Sequence, residues 1–168
     1  MGRLRNVVIP LDGSALSEAA VPAVRDLLGA DRVAVTLLHV IVPSIDDVPV
    51  YPGWGPVGES VGVFPPPTQP SPTDEEVARA RAYLAEVRRR LPPDMTVAAE
   101  VRIGVAAHVI LAVAREARAD LIAMATHGRG GIARAVLGSV TDLVLRTSPV
   151  PVLVVHPHPG TAPGGTRV

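Results

Sequence analysis

A chain of 168 residues that is 48% hydrophobic is long enough for one α/β domain with a full core and short for two. Its 16 acidic residues balance 16 basic ones, so no net field points to nucleic acid or an anionic membrane as partner, and no apolar run approaches the roughly 18 residues of a membrane-spanning helix. The absence of cysteine excludes disulfides, thiolate catalysis and zinc–thiolate sites, and with no signal-peptide core after Met1 the expected location is the cytoplasm.

Residues 6–12 (NVVIPLD) are predicted as a strand ending in a turn, and Asp12-Gly13-Ser14 leads into a helix over 15–28 that closes at Gly29. That order places Asp12 at the carboxyl end of a buried strand, where open α/β sheets bind ligands. The competing reading is that Asp12 or Ser14 only caps the helix. Residues 33–42, rich in β-branched side chains and stopped by Pro43, form the second strand. His39 near its end reads as a structural histidine, with no catalytic role.

Residues 43–73 change to proline and glycine, a density that neither a helix nor a central strand tolerates. A loop of about 30 residues is expected, either a lid or docking segment carrying Tyr51, Trp54 and Phe64, or a loosely packed insertion. A helix then opens at Thr73, which forms a capping box with Glu76, and runs to about Leu91 before Pro92-Pro93. Val77, Ala80, Leu84, Val87 and Leu91 share one face, and Arg79, Arg81, Arg88, Arg89 and Arg90 read as a solvated surface. Residues 95–102 alternate like a partly exposed strand. Gly104 turns the chain into a helix over 106–117, whose His108 reads as a surface residue.

Residues 120–155, DLIAMATHGRGGIARAVLGSVTDLVLRTSPVPVLVV, read as strand, glycine-rich turn, helix, strand. Glycines let backbone N–H groups approach an anion, and Gly138-Ser139 at a helix start offers unpaired donors, so phosphate binding is the chemistry this stretch suits. The competing reading is that the glycines only turn the chain. No Walker GxxxxGK[ST] pattern is present, since all 16 basic residues are arginine, and GxGxxG is absent from the stretch. An adenylating enzyme would need an SGGxDS-type loop, which Asp12-Gly13-Ser14-Ala15 does not supply. Val152–Val155 is too apolar for an edge strand left in water, while Pro149 and Pro151 point to an edge. Residues 157–168 read as a disordered tail.

Alternating strands and helices give an α/β fold with a parallel sheet, helices on both faces, and a site at the carboxyl ends of the strands. The chain resembles the universal stress protein family, whose nucleotide-binding members carry G-x2-G-x9-G-(S/T) after the fourth strand. Here the pattern falls on Ala125, Gly128, Gly138 and Ser139, with nine residues from Arg129 to Leu137 between the second and third positions. Ala125 replaces the first glycine, which costs about 1 kcal/mol if the position needs positive φ and nothing if it needs only a small side chain.

The resemblance implies a single domain over 1–156 with a five-stranded sheet in the order 3-2-1-4-5, Rossmann-like and of the adenine nucleotide alpha hydrolase type. It also implies an adenine-nucleotide-binding regulator of the stress response that pairs with its copy through Val152–Val155. It assigns adenosine contacts to Pro10, Leu11, Asp12 and Val40, with Met124 and Ala125 beside the ligand. Phosphate contacts fall on Gly128, Arg129, Gly138, Ser139, Val140 and Thr141. The ligand is ATP, ADP or AMP, with or without Mg. No metal ligands and no catalytic residues are expected; hydrolysis, if any, is slow, and His127 is the one candidate base. The regulatory partner is not specified. The rival function is a dimeric interaction module that binds no nucleotide and works through the Pro-rich loop.

Overall fold

The computed structural model describes residues 4–28, 33–43, 71–93, 95–126 and 138–156. In chain order these form β1 (Asn6–Pro10), α1 (Ala15–Glu18), α2 (Ala20–Leu28), β2 (Ala34–Ile41), α3 (Asp74–Arg89), β3 (Thr96–Ile103), α4 (Ala106–Glu116), β4 (Leu121–Ala125), α5 (Ser139–Thr147) and β5 (Val152–Val155). All strand pairings are parallel, and the order is β3-β2-β1-β4-β5, as expected. The loop core at 44–70, the glycine-rich turn at 127–137 and the tail at 157–168 lie outside the described residues.

Successive side chains of a strand point to opposite faces, and the core divides accordingly. On one face Val7, Ile9, Val35, Leu37, Leu121 and Ala123 pack with Val24 of α2 and with Leu84 and Val87 of α3. On the other, Val8, Leu38, Ile122 and Met124 pack with Ile110, Leu111 and Val113 of α4 and Val144 of α5. The inner strands β1 and β4 are buried on both faces, which is why they read as unbroken apolar runs. The outer strand β3 is largely exposed, and β5 is half-buried along its whole length.

Two local differences from the expected elements have simple causes. The helix after β1 is interrupted at Ala19, so α1 is a single turn before α2 begins. Strand β1 ends at Pro10, before the turn at Asp12: β1 pairs with β4 only at Val7↔Leu121 and Val8↔Ile122, whereas pairing with β2 continues to Pro10↔Leu38. Backbone groups alternate sides along a strand, and the Leu11 N–H points to β2, where it meets the Leu38 carbonyl at 2.8 Å. Pro10 therefore faces the side β4 has vacated, where its missing donor costs no ladder bond.

The opposite end of the same strand pair is stitched shut. The Asp120 carboxylate accepts from the Arg5 and Asn6 amides at 2.8 and 3.0 Å, which hold its pKa below the usual carboxylate range. β1 and β4 are thus joined at their amino ends and no longer paired with each other beyond Val8 and Ile122; in doubly wound sheets such a parting at the carboxyl edge is where the ligand crevice lies. No helix among the described residues is long and apolar enough to cross a membrane.

Candidate functional site

The crevice lies where the chain reverses its winding: α1 and α2 follow β1 onto one face, and α5, which follows β4, packs on the other. This is the topological switch point at which doubly wound sheets receive ligands. Its first wall is the turn after β1. Gly13 has φ +88°, a left-handed conformation that a side chain resists, and it reverses the chain so that Ser14 caps α1. The Ser14 hydroxyl accepts from the Ser17 amide at 3.1 Å. Asp12 does not cap the helix; its Oδ1 accepts from the Ser14 amide at 2.9 Å and from the Ser14 hydroxyl at 2.6 Å. Of the two capping residues the sequence offered, Ser14 takes the cap, and Asp12 is left exposed.

Partial burial acts to raise the Asp12 pKa, but the bonds from Ser14 outweigh it and keep the carboxyl below its ordinary value. A carboxylate held ionised, with one oxygen occupied and the other unassigned among the described contacts, suits a hydroxyl or amine donor of a ligand rather than a phosphate. Leu11 is different. Its side chain is core, its amide is given to Leu38, and its carbonyl lies 2.8 Å from His39 Nδ1. Among the expected adenosine contacts it serves by fixing the path of the turn.

The second wall is α5. Its N-cap is Gly138, which makes no side-chain cap bond, and the first intrahelical bond is Asp142 N–H to the Gly138 carbonyl at 2.9 Å. The amides of Ser139, Val140 and Thr141 precede that bond and have no partner within the helix, so they form a donor set with the positive end of the helix dipole behind it. Gly138 and Ser139 are exposed, Val140 is half-buried, and Thr141 is buried. Val140 and Val40 each pack against the core cluster that contains Met124, so these three expected site residues lie on the α4/α5 face of the sheet.

Ala125 packs against the other cluster as the last residue of β4, opposite Val155. Among the described residues only Arg118, φ 47°, is a non-glycine with positive φ, so Ala125 carries none of the backbone strain that replacing a glycine would bring at such a φ. His127, Gly128 and Arg129 lie outside the described residues. His108 is exposed on α4, as expected. No group of three metal-ligating side chains occurs among the described residues. His39, read from the sequence as a structural histidine near the end of β2, makes a polar bond from that strand to the residue before Asp12; what the sequence left open was the group it bonds.

A five-stranded parallel sheet in the order β3-β2-β1-β4-β5 with helices on both faces defines a doubly wound α/β protein of the Rossmann-like class. The chain belongs to the universal stress protein family, whose profile matches residues 3–156. A universal stress protein of Methanocaldococcus jannaschii is 30% identical over 152 residues, covering 90% of this chain and 81% of the relative. One of Mycolicibacterium smegmatis is 31% identical over 158 residues, and there the chain spans only 46% of the relative's length.

Solved structures share the fold. A second M. jannaschii protein superposes with a TM-score of 0.67 at 22% identity, over 95% of this chain and 100% of that one. A universal stress protein in complex with cAMP gives 0.61 at 24% identity, over 92% and 98%. A universal stress family protein of Arabidopsis thaliana with AMP bound gives 0.59 at 14%, over 95% and 97%.

Proposed function

We propose that this chain binds an adenine nucleotide, ATP first among them, in the crevice between the Asp12 turn and the start of α5. In this reading it acts as a homodimeric regulator in the stress response. The observation that carries the reading is the pairing of chemistries at one sheet edge: an ionised carboxylate suited to a ribose or base donor, and an uncapped helix N-terminus suited to phosphate. The complexes of fold relatives with cAMP and AMP support the same ligand class. Turnover is at most slow, with Mg²⁺ carried on the phosphates. The half-buried, wholly apolar β5 at the sheet edge supports pairing with a second copy, and size-exclusion chromatography with light scattering tests it.

The deciding experiment is calorimetric titration of the nucleotide-stripped protein with ATP and Mg²⁺. The expected result is a Kd of micromolar or tighter, about −8 kcal/mol. Asp12→Ala is expected to weaken ATP and adenosine by the same factor, and a loss confined to ATP would remove Asp12 from the adenosine side. No binding at all to the wild type would turn attention to the interaction-module reading and its Pro-rich loop.

A further inference from the structure

Resting on the nucleotide reading above, we propose that His39 is a positioning residue of the site: it holds the Asp12 turn in its binding shape without touching the ligand. A carbonyl oxygen only accepts, so the 2.8 Å contact between His39 Nδ1 and Leu11 O requires the proton on Nδ1. The bond spans two strands. Among the described residues it is the one side-chain tether on residues 11–13 that comes from outside the turn and α1; the others join Asp12 to Ser14 and Ser17. The peptide it grips links Leu11 to Asp12, so its orientation sets where the carboxylate is presented.

The imidazole is itself held in place. Tyr83 of α3 meets it edge to face, with ring centroids 5.8 Å apart and planes inclined by 68°. Beside the pair lies a cavity of about 380 Å³ lined by Gly13, His39, Ile41, Glu76, Arg79 and Tyr83. Truncating His39 therefore opens onto space that no described residue fills. The freed Leu11 carbonyl is rehydrated, so the sheet survives while the turn loses its anchor.

The test compares His39→Ala, His39→Gln and His39→Asn with the wild type by calorimetric titration against adenosine and against ATP with Mg²⁺, alongside thermal melts. An asparagine amide sits close to the Nδ1 position and can keep the bond, whereas a glutamine amide reaches the Nε2 position and cannot. The Ala and Gln variants are expected to bind both ligands about three- to tenfold more weakly, by the same factor for each, with Asn within about twofold of wild type. Folded Gln and Ala variants that bind as tightly as wild type would overturn the inference, as would an Asn variant no better than Gln. Should the Ala variant not fold, the Gln and Asn pair decides. A wild type that binds neither ligand brings down the nucleotide reading and this inference together, whereas a binding wild type with an unaffected Gln variant brings down this one alone.

Discussion

Replacing Gly138 with valine separates the fold from the site. Gly138 has φ −53° and ψ 144°, which any L-residue adopts, and a Cβ built there meets no described atom within 4 Å. The cost to the fold is confined to cap preference, since glycine is a better N-cap than valine, and amounts to about 1 kcal/mol or less. For a chain of 168 residues that lowers Tm by roughly 2–4 °C. The ligand side is different. The valine methyls would crowd the amides of Ser139 and Val140, which have no partner within the helix, and each hydrogen bond from such an amide to a charged phosphate oxygen contributes about 1.5 kcal/mol or more. Losing two weakens ATP by about 100-fold. Adenosine, which has no phosphate, binds the variant as it binds the wild type. Titrating both ligands into one preparation, with a thermal melt as control, reads the three quantities together. Unchanged ATP affinity in a folded Gly138→Val protein would refute the assignment of phosphate to α5, and an equal loss for adenosine would show that the valine disturbs the whole crevice.

Tyr83 gives a prediction at high pH. Its hydroxyl is buried beside Ser17 and Glu18 without a hydrogen bond of good geometry to either among the described residues; burial first, and the Glu18 carboxylate next, push its pKa up to about 12. The folded chain keeps a proton that the unfolded chain releases near 10, so this stabilisation is intact below pH 10 and lost as pH rises toward 12. Tyr83→Phe should flatten that alkaline limb in urea titrations while leaving neutral-pH stability unchanged or higher, because an unsatisfied buried hydroxyl is removed; a large loss at pH 7 would mean the hydroxyl has a partner after all. Asp120 works in the acid range: its folded pKa lies below the unfolded value near 4, so the unfolded chain binds the proton first and stability falls as pH drops from about 4 through the folded value. Urea midpoints at pH 5 and pH 3 should differ less for Asp120→Asn than for the wild type. Leu84, 1% exposed between α3 and the sheet, should cost about 2–5 kcal/mol as Leu84→Ala, and a smaller loss would show that α3 collapses to refill the space.

Much of this protein is legible in the chain because the signals are local. A buried parallel strand must be apolar on both faces, so β1 and β4 appear as runs of valine, isoleucine and leucine. Thr73 and Glu76 satisfy each other's helix-end donors within four residues, and the capping box predicted from them is present. The spacing from Gly128 to Gly138-Ser139 is likewise a property of one segment, and it led to the family. The strand order came from that resemblance rather than from periodicity, because no local pattern tells a strand which neighbour to choose.

The tertiary structure alone decided the rest. Whether Asp12 caps the helix depends on Ser14 taking the cap, and whether it stands beside an unpaired strand edge depends on β4 leaving β1 after Val8, a divergence between segments more than a hundred residues apart in sequence. Whether Ala125 carries strain depends on its φ, which follows from its pairing with β5. Whether His39 matters depends on a carbonyl 28 positions earlier that only the sheet brings within 2.8 Å. Composition and spacing report what each segment prefers; the crevice forms from how separate segments part, and that is written in their packing.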